Sequence, residues 1–120
     1  MNIELTDKEF RRLLDLVYIG NWILNSTREK DRFEDYDILQ EKLFALCAKN
    51  GMNALISRWQ GHIFPSSAYE NGGIHEAIAD YEDAVFFDIL AEELARRDMS
   101  AEQISQDDAE ELNARMEEYF

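Results

Sequence analysis

Apolar residues recur at helical spacing along most of this chain, and no stretch alternates convincingly enough to mark a strand. That periodicity restricts the fold to packed amphipathic helices. Thr6 and Glu9 stand at capping-box spacing, with Leu5 and Phe10 at the positions of a hydrophobic staple, so a first helix begins at Asp7. Its stripe is Phe10, Leu13, Leu14, Val17, Tyr18 and Leu24, widened by Trp22 and Ile23, and it ends near Asn25 or Ser26. Gly20 lies inside this run at a cost of about 1 kcal/mol relative to alanine, which suggests a close helix crossing or a kink.

Residues 28–35, REKDRFED, alternate in charge and read as a solvated connector. A second helix runs from about Asp35 to Lys49, with Tyr36, Leu39, Leu43, Leu46 and Cys47 on one face and Asn50-Gly51 as its stop. A shorter third helix carries Met52, Leu55, Ile56 and Trp59. Residues 60–73 hold the only proline and three of the five glycines, so they form one long loop that neither neighbouring helix can enter.

The longest helix runs from about Ile74 to Arg97. Ile74, Ile78, Tyr81, Val85 and Ile89 share one face, while Phe86, Phe87, Leu90 and Leu94 centre on nearly the opposite one. A helix apolar on all sides around residues 85–90 is either central to a bundle or presents its second stripe to another chain. Glu92/Arg96 and Glu93/Arg97 stand at i,i+4 as surface pairs. Ser100 with Gln103 repeats the capping-box spacing, predicting a turn of helix at 101–104 and a final helix from about Gln106 to Glu118. The expected fold class is therefore all-α: a single compact helical bundle of about five to six helices over residues 1–120, with one long loop at 60–73.

Charge divides the chain unevenly. Residues 1–69 carry ten acids and nine bases, a net −1, whereas residues 70–120 carry sixteen acids against three arginines, a net −13. Nucleic-acid binding requires Lys and Arg clusters that such a sequence lacks, and an anionic membrane is repelled for the same reason. The 46% apolar content nevertheless supplies a core and keeps the chain out of the disordered class. Cys47 is the only cysteine, the first ten residues contain no signal-peptide run, and no segment reaches the length of a membrane span, so a cytoplasmic setting is expected.

Motifs for chemistry are sparse. Two histidines and one cysteine offer little to a metal, and no HExxH, CxxC or ExxH pattern occurs, so neither a metal nor another cofactor is expected. Glu76, Asp80 and Asp83 fall at i, i+4 and i+7, a spacing better read as a solvated helix face than as a cation site. Asn71-Gly72-Gly73 lacks the lysine and hydroxyl of a phosphate loop and reads as an ordinary turn. Cys47 falls on an apolar face and reads as a small buried hydrophobe.

The remaining ligand-binding candidates are Arg58, Trp59, His62, Phe64, Tyr69 and His75, clustered around the 60–73 loop; the plainer reading is that Trp59 and Phe64 pin this loop to the core. Candidate interface residues are Phe86, Phe87, Leu90 and Leu94. Catalytic residues are not identifiable. Three function classes follow: a protein-interaction or regulatory module, including a self-associating one; an acidic decoy or immunity-type inhibitor of a nuclease or DNA-binding protein with a basic surface; and a small-molecule or enzymatic domain around Trp59, His62, Tyr69 and His75.

Overall fold

Thr6 and Glu9 close the capping box reciprocally: the Glu9 N–H donates to Thr6 Oγ1 at 3.1 Å and the Thr6 N–H to Glu9 Oε1 at 3.0 Å. From this start α1 runs unbroken over Asp7–Asn25 in the computed structural model, which describes residues 1–101. The element order continues with α2 (Glu34–Ala45), the strands β1 (Ile56–Trp59) and β2 (His62–Pro65), the single-turn α3 (Ser67–Tyr69) and α4 (His75–Ala101). The chain divides into two compact units, Met1–His75 and Glu76–Phe120.

This arrangement corrects the expectation of an all-α bundle of five to six helices. Among the described residues only α1, α2 and α4 are long helices; a 3-10 turn and an antiparallel two-stranded sheet replace the third helix and the first part of the long loop, whose remainder is α3 and a π-helical turn. The apolar spacing of Met52, Leu55, Ile56 and Trp59 imitates a helix, but the segment is a 3-10 turn at Asn53–Leu55 followed by a strand. Gln60 and Gly61 then form a two-residue hairpin turn with φ of 50° and 78°. Positive φ at both central residues is the type I′ pattern, whose twist matches that of the strands it joins. The register pairs Trp59 with His62, Ser57 with Phe64, Arg58 with Ile63 and Ile56 with Pro65. Pro65 is tolerated because it ends a strand of a two-stranded ribbon.

In the first unit, α1 contributes Phe10, Leu14 and Tyr18 to a core completed by Phe44, Cys47, Ile56 and Tyr69. Tyr69 meets Phe44 and Tyr18 edge to face, at centroid distances of 5.1 and 5.3 Å. The face assigned to the second helix is corrected in part: Cys47 is buried, but Tyr36, Leu39 and Leu46 are exposed and Phe44 is the buried residue of α2. The helix ends earlier than expected, at Ala45, and a 3-10 turn carries the chain to Gly51. There φ reaches 70° and the Met52 N–H returns to the Cys47 carbonyl at 2.9 Å.

Gly20 is neither a crossing nor a break, since α1 is continuous and a Cβ built there would meet nothing within 4 Å. The connector at 28–35 is also more than a solvated link. Asn25, 1% exposed, accepts from the Phe33 N–H at 2.7 Å and donates to the Phe33 carbonyl at 3.1 Å and to Asn21 Oδ1 at 2.6 Å. One side chain thus pairs both backbone groups of Phe33, fixing the entry to α2.

In the second unit, α4 continues through Arg97 to Ala101, so Ser100 sits inside the helix instead of capping a new one. The helices expected at 101–104 and 106–118 lie outside the described residues beyond Ala101. Ile78, Ala91, Ala95 and Met99 are the buried apolar residues of α4.

Candidate functional site

The hairpin distributes the sequence candidates by strand alternation. Trp59, His62 and Phe64 share one face of the β1–β2 ribbon, because Trp59 opposes His62 and Phe64 opposes Ser57, two positions from Trp59. Trp59 is 66% and Phe64 47% exposed, so neither pins the segment to the core as the simpler reading expected. Arg58 points to the other face, 3.4 Å from Asn53 Oδ1. Tyr69 is the aromatic that enters the core.

Glu41 of α2 reaches the hairpin from the side. One oxygen accepts the Ile63 N–H at 2.8 Å and lies 3.0 Å from His62 Nδ1. These bonds hold the Glu41 carboxyl below its ordinary range, with the Ile63 N–H as the larger cause. Asn21, Asp37, Gln40 and Arg32 extend this polar wall. Arg32 grips both oxygens of Asp37 at 2.8 and 2.9 Å, while the Asn21 amide donates to Asp37 at 3.0 Å and to Gln40 at 3.2 Å. The Arg32 fork, helped by Asn21, lowers the Asp37 pKa.

A cleft of about 540 Å3 is lined by Asn21, Arg32, Asp37, Gln40, Glu41, His62 and Phe64, among others. A smaller one of about 240 Å3 shares Asn21, Arg32 and Gln40 and adds Tyr18 and Trp22. The polar groups named in these walls are already engaged with one another, which leaves the clefts little capacity to grip a ligand.

Tyr69 and His75 belong to a different cluster from His62 and Phe64. The Tyr18 hydroxyl donates to Glu70 Oε2 at 2.8 Å and lies 2.6 Å from His75 Nε2, which then donates to the Tyr18 oxygen. His75 stands edge to face with Trp22 at 4.8 Å, and the Tyr69 hydroxyl donates to Asp15 at 2.8 Å. Burial first, and the neighbouring carboxylate second, push the Tyr18 and Tyr69 phenols up. Neutral phenols clamped by carboxylates make ties, not bases: Tyr18 joins α1 to the turn ahead of α4. That turn is a π-helical segment, Glu70–Ile74, in which Gly73 adopts φ of 112°. The Asn71-Gly72-Gly73 run therefore serves the backbone turn, as its composition implied.

Among the described residues, no group of three or more His, Cys, Asp or Glu side chains is placed to hold a metal ion. Cys47 is buried, and desolvation raises its thiol pKa, the opposite of activation. Asn21, Asn25, Glu41 and Glu70, which organise these clusters, were not among the sequence candidates. The i,i+4 pair Asn21/Asn25 on the inward side of α1 was the available signal.

The interface candidates lie in the second unit on α4. Phe86 is 60% and Leu90 38% exposed; Tyr81, Phe87 and Ile89 are exposed as well, and Leu94 is half-buried. Phe86 and Phe87 touch edge to face at 5.5 Å. Arg96 pairs with Glu92 as its spacing suggested, whereas the Arg97 contact falls on Asp98, at 3.4 Å, and not on Glu93. Comparison with protein-family models, curated proteins and solved structures finds no match to this chain. Among the described residues, no helix is long and apolar enough to cross a membrane.

Proposed function

We propose that this protein is a protein-interaction module whose contact element is α4. The observation that carries the reading is the exposure of Phe86, Ile89 and Leu90 within one helix that also leaves Tyr81 and Phe87 accessible. Aromatic and large aliphatic side chains grouped on one exposed element are the composition of an interface core, and leaving them in water costs the free energy a partner would recover. The carboxylates interleaved along α4, Asp80, Glu82, Asp83 and Asp88 among them, argue for protein and against phosphate-bearing or anionic-lipid partners. A reducing, cytoplasmic compartment suits the lone thiol of Cys47.

Photo-crosslinking in cells tests the proposal. A photoreactive amino acid at Phe86 or Ile89 should give discrete protein adducts that disappear when Leu90→Asp is added. The same group at the exposed Lys8 of α1 should give none of them. Absence of adducts specific to α4 would overturn the reading.

A further inference from the structure

We infer that the partner of α4 is a second copy of this chain, bound as an antiparallel helix pair with Leu90 on the twofold axis; the inference rests on the interaction reading above. Between positions 83 and 97 five residues form a stripe on α4: Asp83, Phe86, Leu90, Leu94 and Arg97. At 100° per residue they fall within an arc of about 80°, turned about 140° from the buried stripe of Ala91, Ala95 and Met99. This is the accessible side: Asp83, Phe86, Leu90 and Arg97 are exposed and Leu94 is half-buried.

The stripe is symmetric in spacing and antisymmetric in charge. Phe86 and Leu94 lie four residues to either side of Leu90, and Asp83 and Arg97 lie seven to either side. A twofold contact must be self-complementary, each residue meeting the residue that mirrors it. Inverting a second α4 about Leu90 sets Leu90 on Leu90 of the second copy, Phe86 on Leu94, and Asp83 on Arg97, each of the last two contacts occurring twice. The apolar residues fill the middle and the ion pairs close both ends, the usual division between an interface core and its rim.

Charge along the whole helix selects the same direction. Residues 76–88 of α4 carry Glu76, Asp80, Glu82, Asp83 and Asp88 with no base, a net −5, whereas residues 89–101 carry Glu92, Glu93 and Asp98 against Arg96 and Arg97, a net −1. A parallel pair would align carboxylate with carboxylate and arginine with arginine. The antiparallel pair sets the strongly acidic end of each copy against the nearly neutral end of the other, in place of its own like, and opposes the two helix dipoles.

Light scattering on the full chain should give twice its 14.1 kDa mass. Leu90→Asp should return it to one chain with an unchanged far-ultraviolet circular dichroism spectrum. Asp83→Arg and Arg97→Asp should each weaken self-association about ten-fold, since both make like-charged contacts twice per dimer. The double variant Asp83→Arg/Arg97→Asp should restore it, as should an equimolar mixture of the two single variants. Spin labels on the dimer give an independent check: a label at position 90 should sit close to its twin, whereas labels at 83 should be about 21 Å apart along the helix axis. A chain that stays monomeric while α4 crosslinks to another protein would overturn the self-pairing and leave the interaction reading standing. A dimer indifferent to Leu90→Asp would overturn the choice of face. Single reversals without effect would overturn the antiparallel register.

Discussion

Replacing Asn25 by alanine should destabilise the first unit by about 2–4 kcal/mol. The substitution removes three side-chain hydrogen bonds: from the Phe33 N–H at 2.7 Å, to the Phe33 carbonyl at 3.1 Å and to Asn21 Oδ1 at 2.6 Å. Asn25 is almost wholly buried, so water cannot replace these bonds without entering the joint between α1 and α2. Each bond contributes roughly 1 kcal/mol net, and each polar group left unsatisfied adds a penalty of similar size, which together give the stated range. Asn25→Asp separates the components. Its carboxylate can still accept the Phe33 N–H but faces Asn21 Oδ1 and the Phe33 carbonyl with charge and no proton. Protonation would restore one donor, so this variant should lose less stability relative to the parent as pH falls toward 4.5. The sign follows because its carboxyl pKa would be higher folded than unfolded: the deficit grows as pH rises above the unfolded value near 3.9. Urea unfolding followed by Trp22 fluorescence and circular dichroism provides the measurement. An Asn25→Ala midpoint equivalent to less than about 0.5 kcal/mol of lost stability would refute the reasoning, because surface substitutions away from special features have effects of that size.

Gly20→Ala should stabilise the chain by about 1 kcal/mol in the same assay, since the added methyl meets open space on a continuous helix. Gln60→Asn should add roughly 0.5–1 kcal/mol by placing a residue tolerant of the left-handed region at φ 50°, and an unchanged midpoint would count against the hairpin turn. Asp37, whose pKa is lowered first by Arg32, contributes stability that is present above its unfolded pKa near 3.9 and lost as pH falls through its folded value; Asp37→Asn should flatten the stability profile in that acid window. Tyr18 and Tyr69 are raised by burial and adjacent carboxylates, so their contribution is complete below the unfolded value near 10 and lost as pH rises beyond it. Absorbance at alkaline pH should show both phenolates only upon unfolding, and all five tyrosines titrating together near pH 10 would contradict the assignment.

How far the fold was legible depended on whether a residue's partner lay nearby in sequence. The Thr6/Glu9 box, the inward placement of Phe10, Leu14 and Tyr18 on α1 and the burial of Cys47 all follow from local rules, and the structure carries each of them. The hairpin was hidden because its strands have four residues each and Ile56 and Trp59 also satisfy a helical period. Gln60-Gly61 is a weak form of a turn signal that usually contains asparagine or aspartate. The inward face of α2 was misassigned for a different reason. Asp37, Gln40 and Glu41 look solvent-facing until Asn21, Arg32 and Ile63 arrive from elsewhere to satisfy them. For the candidate site, the two apolar faces of α4 could be read from spacing, but only coordinates tell which side chains the fold leaves accessible.

The Glu41 bond to Ile63 also determines how the small sheet meets its surroundings. In a two-residue hairpin the pair flanking the turn is hydrogen-bonded, so the next pair, Arg58 and Ile63, directs its backbone groups away from the ribbon. On the Ile63 rim the carboxylate occupies the outward N–H and prevents another strand from adding there. The opposite rim ends in Arg58, whose guanidinium would meet its own kind in a stack of identical ribbons. One margin is capped by a helix-borne carboxylate and the other carries a cation, both features that disfavour edge-to-edge pairing of a ribbon whose Trp59 and Phe64 are exposed.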